Sequence, residues 1–281
     1  MTETALHAIG IEMGTDKAIA HAYTEAYERH LGHLRDRPIT ILEIGIGGYA
    51  NVRRGGASLR MWKKYFPLAH VIGLDIQDKT QFAEERITIL QGDQGDRAFL
   101  EDLATRYGPF DVVIDDGSHR CEHVIASFEA LFPHVRDDGI YVVEDLQTSY
   151  WETYGGSSGA DRRKTSMTFL QALVDGLNYA ELDLPSYTPS YTDRWVRSMT
   201  FYHNIAFIQK GQNDEGSNRL PPHPRAERRY ARRPRRTAAL PRYSPRRLAR
   251  AIVPLRIRRR LLDFARTGRT RARPSGSGKD R

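Results

Sequence analysis

Five short apolar runs in this chain each have an acidic residue at or near their carboxyl end, and that repetition limits the fold more than any other feature. Ile39-Thr40-Ile41-Leu42-Glu43-Ile44-Gly45 runs into glycines, and His70-Val71-Ile72-Gly73-Leu74-Asp75 ends on an acid. Arg86-Ile87-Thr88-Ile89-Leu90 is followed by Gly92-Asp93-Gln94. Residues 110–114 lead into Asp115-Asp116-Gly117-Ser118-His119, and Ile140-Tyr141-Val142-Val143 ends in Glu144-Asp145. Near-continuous apolar, β-branched runs of this length are strands covered on both faces. Helix-length stretches separate them: residues 59–66, stopped by Pro67, a segment from an Asp96 cap to Tyr107, and one from His119 to Leu131. Strands alternating with helices form parallel βαβ units. The expected fold is therefore α/β, Rossmann-like and doubly wound, on a mostly parallel sheet. Residues 163–177 read as a further helix, 199–210 as a final edge strand and 19–34 as a helical lead-in.

Charge divides the chain. The net charge of +8 sums two opposite parts. Residues 211–281 hold 22 Lys and Arg against 5 Asp and Glu, whereas residues 1–210 hold 21 against 30. The reading is a lead-in over 1–37, an acidic α/β domain over 38–210 and an Arg-rich tail over 211–281. Residues 213–218 read as a linker, and only 245–264 of the tail has amphipathic character, interrupted by Pro254. The remaining tail composition is that of disordered sequence. A basic excess of this size fits weak polyanion or acidic-membrane contact, but a mobile, solvated charge run is the simpler account. Cys121 is the sole cysteine, so no internal disulfide framework or multi-cysteine zinc site exists. No apolar run approaches the roughly 18 residues of a membrane span, and residues 1–14 lack signal-peptide order. These features give a cytoplasmic expectation, with peripheral membrane contact through residues 211–281 as its alternative.

In an open parallel sheet, ligands bind at the carboxyl ends of the strands, where these acids fall. Glycines after the first strand, Gly45, Gly47 and Gly48, allow close backbone approach to a cofactor, or simply form a tight turn. Asp75, ending the second strand, suits both hydroxyls of an adenosine ribose. A dinucleotide fits less well: the third fingerprint glycine is missing, and Asp75 lies 30 residues beyond Gly45. S-adenosylmethionine, which has no pyrophosphate, tolerates the looser loop. Asp116, Glu144 and Asp145 end neighbouring strands, and converging carboxylates repel unless a cation or protons neutralise them. Hard oxygen ligands suit Mg²⁺ or another hard divalent cation; solvated strand-end acids are the other explanation. His119, three residues beyond Asp116, is placed to take a proton from a metal-bound hydroxyl, or to bond backbone at a helix start. His123 and Cys121 are expected to pack against the sheet.

These segments, with Val143-Glu144-Asp145-Leu146-Gln147-Thr148-Ser149-Tyr150 and Gly14-Thr15-Asp16-Lys17, resemble the metal-dependent sugar O-methyltransferases of macrolide and polyketide biosynthesis, including the rhamnosyl enzymes. The likeness covers about residues 10–210. It implies a class I S-adenosylmethionine-dependent methyltransferase fold with an antiparallel edge strand. It also implies Mg²⁺ on Asp116, Glu144 and Asp145, His119 as general base, and Glu43, Gly45, Gly47, Ser58, Asp75, Asp93, Gln94 and Asp115 along the methyl donor, with Gly56 a further contact. The acceptor would be a glycoside or other small molecule in antibiotic biosynthesis, and a homo-oligomer is an expected assembly. Two departures from the family are expected: the additional N-terminal domain of characterised macrolide enzymes is not recognised here, and the Arg-rich tail has no recognised counterpart. A nucleic-acid methyltransferase, or an anchoring protein whose tail is the functional element, are the competing readings.

Overall fold

A computed structural model describes residues 4–159, 164–184 and 186–219. Residues 220–281 fall outside that set, so the expectations for most of the Arg-rich tail, including 245–264, lie outside the described residues.

Seven strands form one sheet in the order β3-β2-β1-β4-β5-β7-β6. They are β1 (Thr40–Ile44), β2 (His70–Asp75), β3 (Ile87–Gln91), β4 (Phe110–Asp115), β5 (Val135–Val143), β6 (Val196–Tyr202) and β7 (Ile205–Lys210). The first five run parallel. Crossovers supply α4 (Ala57–Tyr65) after β1, α5 (Arg97–Tyr107) after β3 and α6 (Cys121–Leu131) after β4. Before β1 come α1 (Ala5–Met13), α2 (Asp16–Ile19) and α3 (Thr24–Leu31); α7 (Ser166–Gly176) and α8 (Tyr191–Trp195) precede β6.

Alternation along the strands divides the interior into two layers. Ile41, Val71, Val112, Ile140 and Phe207 face a layer with Leu6, Tyr27, Leu31 and Trp62 of α1, α3 and α4. Leu42, Ile72, Val113, Tyr141 and Ile208 face the opposite layer with Leu100, Phe128 and Leu170 of α5, α6 and α7. Asp96 caps α5 as expected, its carboxylate accepting the Phe99 N–H. Thr165 and Thr168 form a reciprocal capping box that starts α7.

Three local expectations change. Residues 199–210 are not one strand but part of a hairpin turned at His203-Asn204, with Asn204 left-handed at φ 64°. The antiparallel strand is β7, one place in from the edge, and β6 closes the sheet beside it. The lead-in is three helical segments rather than one, and α1 lies ahead of the expected start. Gly10 explains why α1 was illegible: a Cβ there would stand 2.7 Å from Ala18 Cβ, so this helix-weakening residue is chosen for packing.

Candidate functional site

The sheet ladder continues past the strand ends and brings the acids together. Asp116 N–H donates to Ile44 O at 3.0 Å, Glu144 N–H to Asp115 O at 3.0 Å, and Gly45 N–H to Leu74 O at 2.7 Å. At Gly45, φ is 90° and a Cβ would stand 2.0 Å from Asp116 O, so glycine alone fits where β1 meets β4. Above this junction lies a cleft of about 420 Å³ lined by Asp16, His21, Gly45, Gly47, Asp75, Asp93, Gln94, Asp116, His119, His123 and Asp145, among others.

One wall is built on the glycine loop. Asp75 Oδ2 accepts Ile46 N–H at 3.1 Å and Oδ1 accepts Gln77 N–H at 2.8 Å, which fixes the carboxylate at the end of β2. Fully buried Lys79 stands 3.5 Å from Asp75 Oδ2 and donates to Gly47 O and Arg54 O, clamping the loop from behind. Gln94 spans to the next wall, donating to Asp115 Oδ1 at 2.5 Å and accepting Ser118 N–H at 2.9 Å. Asp93 holds its own turn by accepting Gly95 N–H at 2.7 Å.

The other wall carries Asp116, His119 and Asp145, whose ligand atoms all lie within 4.8 Å of one another. His119 Nε2 is 3.7 Å from Asp145 Oδ2, and His21 Nδ1 is 3.7 Å from Asp145 Oδ1. Tyr23 donates its hydroxyl proton to Asp145 Oδ1 at 2.9 Å. His119 and Asp145 both have left-handed backbone, at φ 57° and 53°, as does the exposed Tyr49 at the cleft mouth. Such conformations are costly for non-glycine residues and persist where surrounding structure imposes them, often at functional sites.

Behind this wall is a buried charge cluster. The Lys17 ammonium of α2 lies 2.5 Å from Asp116 Oδ2, 2.7 Å from Glu144 Oε1 and 3.2 Å from Glu43 Oε1. Tyr27 also donates to Glu144 Oε1. Burial disfavours the Lys17 ammonium, but the three carboxylates outweigh it and hold its pKa well above the ordinary value. Burial raises Glu43 to about 7, against the pull of Lys17. Burial and neighbouring Asp116 push Glu144 up as well.

The expected residues therefore divide by position. Gly45, Gly47, Asp75, Asp93, Gln94, Asp116, His119 and Asp145 line the cleft. Glu43, Ser58, Asp115 and Glu144 lie below its surface. Glu43 accepts Trp62 Nε1–H at 2.9 Å. Asp115 accepts from Gln94, Ser127 and Tyr141. Glu144 is engaged by Lys17 and Tyr27. His123 corrects its expectation, because it turns to the cleft and shares a 2.9 Å bond with Ser118 Oγ. Cys121 is buried as expected, its sulfur 3.7 Å from Ser166 Oγ. Sequence reasoning assigned no role to Lys79, His21 or the Lys17 ammonium; the Asp75-to-Lys79 spacing of four residues was the only local signal.

Sheet order and strand-end site define a class I methyltransferase fold, and residues 18–146 match the family model described as "Methyltransferase domain". The chain is similar to that family over these residues. Within that class it is 49% identical over 198 residues to mycinamicin VI 2''-O-methyltransferase of Micromonospora griseorubida, covering 70% of this chain and 50% of that one. It is 52% identical to demethylmacrocin O-methyltransferase of Streptomyces fradiae over 198 residues, with the same coverage. A third relative, 8-demethyl-8-alpha-L-rhamnosyl tetracenomycin-C 2'-O-methyltransferase of Streptomyces olivaceus, is 48% identical over 209 residues, 74% of this chain and 55% of that one. Among solved structures it is similar to the MycE methyltransferase of the mycinamycin pathway in complex with Mg and SAH, with TM-score 0.76 and 43% identity over 82% of this chain and 60% of that one. The chain spans about half the length of the curated relatives it matches. Among the described residues, no helix is long and apolar enough to cross a membrane.

Proposed function

We propose that this cleft transfers a methyl group from S-adenosylmethionine to a hydroxyl of a glycosyl group on a natural product, with Mg²⁺ or another hard divalent cation. The observation that carries the reading is one cleft with a fixed ribose-type carboxylate, Asp75, on one wall and Asp116, His119 and Asp145 on the other. The similar MycE structure was solved with Mg, SAH and mycinamycin VI, and the relatives are named as glycoside O-methyltransferases. These similarities favour neither a nucleic-acid methyltransferase nor an anchoring protein.

The residues fit both groups. Asp75 keeps free lone pairs for ribose hydroxyls beside a loop whose glycines admit close approach. Asp116 and Asp145 offer the hard oxygens a divalent cation needs, and Glu144 adjoins them. When bound, the donor supplies an electrophilic methyl carbon and the cation lowers the pKa of a nearby hydroxyl. His119 accepts that hydroxyl's proton as the oxygen forms its bond to the methyl carbon and the carbon–sulfur bond breaks. The Asp145 carboxylate stands 3.7 Å from Nε2. Asp115 and Gln94 position the Asp116-to-His119 turn from below. The cleft would contribute by orienting donor and acceptor toward each other. Calorimetric titration with S-adenosylhomocysteine tests the donor half: the account expects saturable binding that Asp75→Ala weakens, and equal binding by both proteins would contradict it.

A further inference from the structure

The segment after Asp145 presents aromatic surface that the fold does not use. Trp151 is 49% exposed, whereas Trp62 is fully buried and Trp195 partly so. Its backbone is locked rather than loose. Trp151 N–H donates to Thr148 O at 3.0 Å, and Trp151 O accepts both Tyr154 N–H at 3.0 Å and Gly156 N–H at 2.9 Å. Ser157 N–H returns to Ser149 O at 2.9 Å, and a Cβ at Gly156 would stand 2.4 Å from Thr148 O, so the loop is pinned against its own base.

The pinned loop carries a row of rings that ends at His119, a residue of the cleft lining. The Trp151 and Tyr154 ring centroids are 5.9 Å apart at 53°, and the Tyr154 and His119 rings are 6.5 Å apart at 52°. The row thus begins at an exposed indole and ends on the histidine beside Asp145. A molecule whose hydroxyl reaches His119 therefore has the Tyr154 ring as a near neighbour, 6.5 Å from the imidazole. Sugar rings present apolar C–H faces and polar edges, which match aromatic faces bordered by hydrogen-bonding groups. Tyr and Trp supply such surface at low cost in side-chain entropy, and a locked backbone lowers it further.

We propose that Trp151 and Tyr154 form the platform on which the glycosyl ring of the acceptor stacks, and that they govern acceptor selectivity. This rests on the methyl-transfer reading for its occupant, but its test does not need turnover. Saturation-transfer NMR of methyl α-L-rhamnopyranoside with the full chain, S-adenosylhomocysteine and Mg²⁺ should show transfer to the sugar C–H protons. Trp151→Ala should remove most of that signal while leaving S-adenosylhomocysteine affinity and the circular dichroism spectrum unchanged, and Trp151→Phe should restore part of it. Absence of signal in the unaltered protein, or an undiminished signal in Trp151→Ala, overturns the proposal. Loss of a dimer in sedimentation on Trp151→Ala without change in the sugar signal assigns this face to a second copy and also overturns it. Failure to methylate any glycoside while the sugar signal persists would count against the methyl-transfer reading alone.

Discussion

Lys17 Nζ stands 2.5 Å from Asp116 Oδ2 across 99 residues of sequence, and its side chain is 1% exposed. This ion pair fastens the N-terminal segment to the acid rim. Removing one partner of a buried pair leaves the other charge uncompensated, at a cost of about 3–5 kcal/mol. Lys17→Met is expected to lower unfolding free energy by that order, measured by denaturant titration. A loss below about 1 kcal/mol would show that the cluster is not held by this ammonium.

How much of this was legible is decided by range. The five strands and their acids were readable because a buried parallel strand writes its environment into consecutive residues. Asp75, Asp116, His119 and Asp145 followed, since a strand end is a local property. The Lys17 cluster was not readable as such: its partners Glu43, Asp116 and Glu144 lie at the ends of three separate strands. The direction taken by each acid was equally hidden. Asp115 and Asp116 are neighbours, yet the pleat sends Asp115 to Ser127 and Tyr141 in the interior and Asp116 to the cleft. The β6–β7 hairpin escaped because its turn is His203-Asn204, without the glycine that usually marks one.

The Asp115 carboxyl carries a pH signature. Burial raises it to about 6, despite bonds from Ser127, Tyr141 and Gln94 that favour the charged form. The folded state therefore holds a proton that the unfolded state has lost between about pH 4 and pH 6. Stability from this group is present at the acidic end and is lost as pH rises through 6. Unfolding free energy of the unaltered protein relative to Asp115→Asn should fall by on the order of 2–3 kcal/mol between pH 4 and pH 7. A difference that is flat with pH would place the proton elsewhere.

His119 is expected to act as the base. His119→Ala should lower turnover by about 10²- to 10⁴-fold, the usual contribution of a positioned proton acceptor. Affinity for S-adenosylhomocysteine should stay within about twofold, since Asp75 lies on the opposite wall. Retention of full turnover in steady-state assays would remove His119 from that role.

Asp116→Asn separates the two halves of the cleft. Loss of one hard anionic ligand should weaken Mg²⁺ binding by at least about tenfold, read by Mn²⁺ electron paramagnetic resonance, while donor binding persists. Unchanged Mn²⁺ affinity would exclude Asp116 as a ligand.

The account turns on metal-assisted methyl transfer to a sugar hydroxyl. The direct measurement is transfer of labelled methyl from S-adenosylmethionine to a panel of macrolide and rhamnosyl glycosides, with Mg²⁺ and with excess EDTA. The account predicts label on a sugar oxygen in the presence of Mg²⁺, abolished by EDTA and restored when Mg²⁺ is added back. Equal transfer in EDTA, or label on the aglycone rather than the sugar, would contradict it.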